Sequence, residues 1–257
     1  MKGVAVFFIT LFLASAVMAE EDGSAEEIGL SAGIDYMSNY LWRGTEWYGG
    51  DGAFFPSVGY AIPGTGLSLG ISAELSEDYI FEGDTVTYGT TDVKDIHATD
   101  FGADYSHTFG EMVTLGASAW YYLMWDSSLS FLCMNLSVAL DFLPLTPTLS
   151  YSHDIYTDSG DAKDFYIQLG IGHSFELVEG AALDLGTVAG YYYADSTSQK
   201  GVSDIDLSAG LSVERGIVTY TGGFHCVIVP GEDFRNNSKG VKDVTRFYGT
   251  FGVSCAI

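Results

Sequence analysis

Residues Ile28 to Tyr60 read IGLSAGIDYMSNYLWRGTEWYGGDGAFFPSVGY, and the opening part of this stretch alternates strictly in twos. Ile28, Leu30, Ala32, Ile34, Tyr36, Tyr40 and Trp42 fall in one phase, and Gly29, Ser31, Gly33, Asp35, Asn39 and Arg43 in the other. Successive side chains of a strand point to opposite faces, so this is a strand with one apolar and one polar side. A polar side made of Gly, Ser and charged residues does not suit the interior of a soluble sandwich. Apolar outward and polar inward is the pattern of a transmembrane barrel.

The pattern recurs in twelve segments: 28–43, 53–62, 66–76, 98–109, 112–124, 129–142, 145–156, 163–175, 181–193, 203–214, 217–229 and 244–257. Leu67, Leu69, Ile71, Ala73 and Leu75 share one face of the third, and Leu132, Met134, Leu136, Val138, Leu140 and Phe142 one face of the sixth. The ninth and eleventh segments admit either phase. The connections alternate in length. Pro63-Gly64-Thr65, Gly110-Glu111, Leu143-Pro144, Val178-Glu179-Gly180 and Arg215-Gly216 are short, whereas Gly44–Gly52, Glu77–His97, Trp125–Ser128, Thr157–Ala162, Ala194–Val202 and Pro230–Asp243 are longer. Short periplasmic turns alternating with longer outer loops, on an even number of strands, are expected of an outer-membrane barrel. A soluble sandwich has no reason to sort its loops by parity. The sequence therefore predicts an all-β fold, a transmembrane antiparallel up-and-down barrel of about 12 strands.

Lys2 precedes the apolar run VAVFFITLFLASAV and Val17-Met18-Ala19, after which the chain turns acidic. A basic start, a short apolar core and a small residue at the cut describe a signal peptide over residues 1–19, leaving 20–257 as one barrel domain exported through the periplasm. Later apolar runs are too short for a membrane helix. The chain carries 34 acidic against 10 basic residues, a formal charge of −24, which argues against nucleic acid as a partner. Its three cysteines do not make a disulfide framework. Tyr40 and Trp42 at the outer end of the first segment, Tyr191 and Tyr193 on the ninth, and Phe109, Phe142 and Phe175 beside short turns suit the aromatic girdles of a lipid interface.

Ser38-Asn39-Tyr40-Leu41-Trp42-Arg43-Gly44-Thr45, with Pro56 and Tyr60 downstream, resembles the opening motif of the TorF family of porins. That motif runs Ser-x-Tyr-x-x-Arg-Gly-[Ile/Thr/Val], then a polar loop, a Pro and a strand with Gly-x-x-Tyr character. The likeness covers about the first 60 residues of the mature chain, with similarity of architecture beyond. Two departures stand against it: Trp47-Tyr48-Gly49-Gly50 replaces a more polar loop, and the last residue is Ile257 where such barrels usually finish on Phe, with Phe247 and Phe251 in phase. The resemblance implies a channel and brings no substrate with it.

With the polar phase taken as lumen, Gly, Ser and Thr dominate the inward positions, and Phe55, Trp120, Tyr122 and Phe131 would narrow the outer half. Small inward residues leave space that an eight-stranded barrel would fill with its own side chains. The expected pore-lining residues are Asp35, Asn39, Arg43, Glu74, Asp100, Asp104, Asp184, Asp206 and Arg246. Further inward acids are Asp154, Asp164 and Asp204. Rings of carboxylates favour cations in a pore. On one continuous first strand, Asp35, Asn39 and Arg43 would stand roughly 13–14 Å apart in succession, with Arg43 near the outer mouth. A buried guanidinium requires a carboxylate, for which Glu74 and Asp100 are the candidates. Arg43 is then either a guard of the pore or a clamp on the rim.

No catalytic constellation emerges. His107, His153 and His173 fall in the lipid-facing phase, His97 in a loop and His225 beside an ambiguous segment, and Gly-x-Ser-x-Gly is absent. Glu77-Asp78 and Asp158-Ser159-Gly160-Asp161 lack the EF-hand spacing. The reading is a channel rather than an enzyme, with no cofactor and no metal, passing small solutes or ions with a preference for cations and touching outer-membrane lipid. The alternatives are a non-conducting structural or adhesive barrel with acidic surface loops and, behind it, a lipid-acting enzyme.

Overall fold

A computed structural model of the chain describes residues 29–48, 50–77, 80, 87, 88, 91, 92, 97–125, 130–157, 163–195, 199–234 and 244–257. The expected signal peptide and the Asp158–Asp161 loop lie outside the described residues. The sheet is a closed antiparallel barrel of twelve strands. They are β1 (Leu30–Met37), β2 (Ala53–Ala61), β3 (Leu67–Ser76), β4 (Ala98–Phe109), β5 (Val113–Met124), β6 (Phe131–Leu140), β7 (Thr148–Tyr156), β8 (Lys163–Val178), β9 (Ala181–Ala194), β10 (Gln199–Arg215), β11 (Val218–Ile228) and β12 (Thr245–Ala256). Each strand pairs with its sequence neighbours. The barrel closes between β1 and β12, from Ser31 opposite Ala256 to Met37 opposite Thr250. Closure leaves no edge, so backbone donors and acceptors are met within the sheet, as a lipid environment demands.

The alternation decides which way each strand faces. Leu136 is 61% exposed and Leu169 56%, and Leu69, Leu149, Leu211, Phe224 and Phe251 are likewise exposed on the outer wall. An apolar band of this extent belongs against hydrocarbon rather than water. Phe109, Phe142, Phe175 and Tyr191 are exposed at its margins. The register settles the two ambiguous segments. Tyr191 lies opposite Ile167 and Leu185 opposite His173, which turns Asp184, Val188 and Tyr192 of β9 inward. Phe224 lies opposite Ala209 and Cys226 opposite Leu207, which turns His225 and Val227 of β11 inward.

The structure corrects the first segment. β1 ends at Met37, a bend follows at Ser38 and Asn39, and Leu41–Trp42 pairs with Thr45–Glu46 in a separate two-stranded hairpin. Arg43 has φ +50° and Gly44 φ +83°. Positive φ at both central residues is what a two-residue hairpin turn of the primed type needs, and Gly meets that need without a Cβ penalty. Asn39 and Arg43 are therefore not on the strand that carries Asp35, and the expected ladder of depths does not exist. Tyr40 is buried and Trp42 half-buried, both packed inside the barrel rather than set in the interfacial girdle.

Core packing sits in the outer half of the lumen, in two clusters. Tyr40, Tyr48, Ala53, Ala98, Met124, Phe131 and Cys133 form one, with Trp42, Phe55 and Tyr122 against it. Val227, Val229 and Phe234 form the other, with Leu41, Tyr192 and Tyr248 against it. Tyr40 meets Phe55 edge-on at 4.9 Å, and Tyr122 stacks on Phe131 at 4.6 Å. The inner half is lined by small residues instead.

Candidate pore and its lumenal hairpin

The hairpin between β1 and β2 folds into the lumen because its charged and aromatic residues find partners on the wall. The Arg43 guanidinium bonds both carboxylate oxygens of Asp154 on β7, the Nη2–Oδ1 contact being 3.1 Å, and its Nη2 lies 3.6 Å from Cys133 Sγ. Its Cζ stands 4.8 Å from the Trp42 ring centroid, 5.2 Å from Tyr166 and 5.3 Å from Tyr192. Burial works against charge on the guanidinium, yet Asp154 more than offsets this and holds its pKa above the ordinary value. Glu74 and Asp100, the two carboxylates expected to hold Arg43, are not its partners. The carboxylate lies on β7, a strand far from β1 in the order of the sheet.

Four further contacts seat the hairpin. Arg246 on β12 donates from Nη1 to the Gly44 carbonyl at 2.5 Å, and its Nε lies 3.6 Å from Glu46 Oε1. Tyr40 donates to Glu74 Oε1 at 3.0 Å. Gly44 rests on β10, where a Cβ added to it would stand 2.5 Å from the Ser203 carbonyl oxygen. That docking place is made by a β-bulge: Gly190 pairs with Asp204 but Tyr191 pairs with Val202, so Ser203 is the extra residue. Tyr48 is fully buried, and burial, together with the facing Glu74 and Asp100, pushes its hydroxyl pKa well up.

Beneath the hairpin the wall carries aromatic rings laid flat on glycines. Trp120 covers Gly70 and Gly102, where added Cβ atoms would stand 2.7 and 2.2 Å from the indole, and its Nε1 donates to Asp104 Oδ1 at 3.0 Å. Tyr166 lies across Gly190 in the same way and donates to Asp204 Oδ2 at 2.9 Å. A cavity of about 340 Å³ runs between these rings, bordered by Arg43, Trp120, Asn135, Tyr166, Asp206 and Tyr248. A second space of about 500 Å³ lies toward the short turns, among Gly172, Ser174, Asp184, Ser208, Gly210 and Thr250.

The remaining expected residues are distributed over these levels. Asp35 lies over Gly252 of β12 and Asp184 borders the inner space. Asp206 receives His225 Nδ1 at 2.9 Å and the Tyr248 hydroxyl at 3.4 Å, and its Oδ1 is buried without a hydrogen-bond partner among the described residues. Glu74 and Asp100 come together on neighbouring strands, and Ser72 donates to Asp100 Oδ2 at 3.1 Å. Asn39 is in the bend, its Oδ1 buried and unbonded among the described residues. Sequence reasoning missed Asp154 as the partner of Arg43, the pinned rings and the hairpin itself. The signal for the hairpin was present: Ser38-Asn39 and Arg43-Gly44 are two turn-forming pairs within seven residues.

No metal-ligating group of three or more His, Cys, Asp or Glu side chains occurs among the described residues. No family model matches the chain, and no curated protein matches it. Among solved structures it is similar to the KdgM porin, with 13% identity, a TM-score of 0.55, and coverage of 88% of this chain and 99% of that one. It is similar to the NanC porin, with 10% identity, a TM-score of 0.54, and coverage of 89% and 100%. An outer membrane channel from Pseudomonas putida F1 matches with 12% identity, a TM-score of 0.50, and coverage of 92% and 98%. The likeness is one of fold.

Proposed function

We propose that this chain is an outer-membrane channel for small solutes that prefers cations and does not act as an enzyme. The observation that carries this reading is the imbalance of the inward charges. Asp35, Glu74, Asp100, Asp104, Asp154, Asp164, Asp184, Asp204 and Asp206 stand on inward positions of the strands, against Arg246 on β12 and Arg43 on the hairpin. Both guanidiniums already have acidic neighbours, in Glu46 and Asp154. Such a lumen attracts cations and repels anions. The KdgM porin is known in complex with oligogalacturonate, a polyanion, and an acidic lumen is built against such a guest. The opening motif from Ser38 to Thr45 supports placing the chain with the TorF family, and residues 1–19 would direct export through the periplasm to the outer membrane.

The test is conductance of the refolded protein in planar bilayers under a potassium chloride gradient. Stepwise openings with a reversal potential on the cation side are expected. Openings with an anion-side potential would overturn the charge argument. A second reading, a non-conducting structural barrel, is favoured by the packed clusters and hairpin that fill the outer half of the lumen. Silence from folded protein at every voltage would favour it.

A further inference from the structure

We propose that the wall around Asp154, Tyr166 and Tyr192 is a binding site for guanidinium-bearing solutes, which Arg43 of the hairpin occupies as a tethered surrogate until such a solute takes its place. The proposal rests on the channel reading above and gives it a solute class and a means of opening.

The argument starts from what holds Arg43. A planar guanidinium is matched by one carboxylate taken two-pronged and by aromatic faces, a combination a lysine ammonium does not exploit equally. Asp154 provides the carboxylate and is almost wholly buried. Tyr166 and Tyr192 provide faces at 5.2 and 5.3 Å. All three belong to barrel strands, so they remain when the hairpin leaves. The orientation of the two rings does not depend on Arg43 either. The Tyr166 hydroxyl is fixed on Asp204 at 2.9 Å and its ring lies against Gly190. The Tyr192 hydroxyl donates to Asp164 at 3.2 Å, and Tyr156 donates to the same oxygen at 3.0 Å. The two aromatic faces are thus preformed, and the adjoining cavity of about 340 Å³ has room for the rest of a small solute.

Arg43, by contrast, comes from a connection outside the barrel sheet, whose Leu41–Trp42 and Thr45–Glu46 pair with each other and not with a wall strand. A solute that binds the cage only while the hairpin is lifted shifts the population toward the lifted state, by mass action alone. Because the hairpin that carries Arg43 helps to fill the outer half of the lumen, lifting it opens the path that the solute then uses.

The probe is agmatine, with cadaverine as the control of similar length that has an ammonium where agmatine has a guanidinium. In planar bilayers, agmatine should raise the open probability of the wild-type protein several-fold at concentrations where cadaverine does not. In detergent micelles, Arg43→Ala should bind agmatine at least roughly tenfold more tightly than wild type, because the competing tenant is gone. Adding Asp154→Asn should abolish that binding. Equal effects of the two amines, or equal agmatine affinity in Arg43→Ala and wild type, would overturn the proposal while leaving the channel standing. Binding that follows Arg43 and Asp154 as stated, in a protein that never conducts, would remove the channel and keep the site. If Arg43→Ala fails to assemble, Arg43→Lys keeps a cation beside Asp154 but fits the cage less well than a guanidinium. Agmatine should then open that variant at lower concentrations than wild type, and an unchanged dose response would overturn the proposal.

Discussion

Arg43 and Asp154 meet inside the barrel although 111 positions separate them in the chain, one from a hairpin after the first strand and the other from the seventh. The contact ties a connecting segment to the far wall of the lumen, and both side chains are buried. Removing one partner of such a pair strands the other charge, which typically costs ~3–5 kcal/mol, whereas removing both is far milder. Arg43→Gln and Asp154→Asn should therefore each lower the urea midpoint of the folded barrel in detergent. The double variant should recover most of the loss. Additive losses would show that the pair is not coupled. Arg43→Gln also leaves one more unpaired carboxylate in the lumen, so its reversal potential should move further to the cation side.

Outer and inner faces alternate along β8, where Leu169 is exposed on the outer wall and Gln168, one residue before it, accepts from Ser150 Oγ at 3.3 Å inside. An arginine at the bilayer midplane costs about 2–4 kcal/mol on the lipid face of a barrel, and much less in a wet lumen. Leu169→Arg should depress assembly in lipid vesicles by that order, and Gln168→Arg should not. Heat-modifiable migration on a gel reports both. Equal behaviour of the two variants would reverse the assignment of faces.

Trp120 lies so close to Gly102 that a methyl group there would stand 2.2 Å from the indole Cδ2. Gly102→Ala should push the ring off the wall and break its 3.0 Å bond to Asp104, at a cost of about 1–3 kcal/mol for overpacking. The accompanying change in tryptophan fluorescence should be absent in Gly170→Ala. There the nearest atom to an added Cβ is a Val188 methyl at 3.6 Å. A silent Gly102→Ala would show that the indole does not need its glycine floor.

The barrel was legible in the sequence because a membrane wall obeys one rule along its whole length. Leu69, Leu136 and Leu169 face outward for the same reason that Ser72, Ser137 and Gln168 do not, and the rule needs no knowledge of neighbours. The hairpin was not legible in the same way. Tyr40 and Trp42 keep the phase of Ile34 and Tyr36 by position, and only the bend at Ser38 and Asn39 and the turn at Arg43 and Gly44 show that the phase stops applying. Asp154 could be assigned to the inner face, yet nothing in its own strand says that a side chain from beyond β1 will reach it. Contacts across a lumen depend on how twelve strands close, which is a property of the whole sheet. Trp120 and Tyr166 make the same point, since each ring rests on glycines of other strands.

Gly44 is where the hairpin rests on the wall, and it is the position at which closure of the lumen can be tested without altering a barrel strand. Its φ of +83° already disfavours any side chain, by about 1–2 kcal/mol, and a Cβ would stand 2.5 Å from the Ser203 carbonyl oxygen. The carbonyl belongs to the bulge of β10 and has little freedom to retreat. Gly44→Val should therefore prevent docking, and with it the bond from Arg246 to the Gly44 carbonyl and the reach of Arg43 to Asp154. The twelve strands do not depend on this residue, so strand-rich circular dichroism and heat-modifiable migration should persist. Conductance should then rise, with longer openings than in wild type, because the outer half of the lumen has lost the segment that fills it. A folded Gly44→Val protein with wild-type conductance would show that the hairpin does not close the pore.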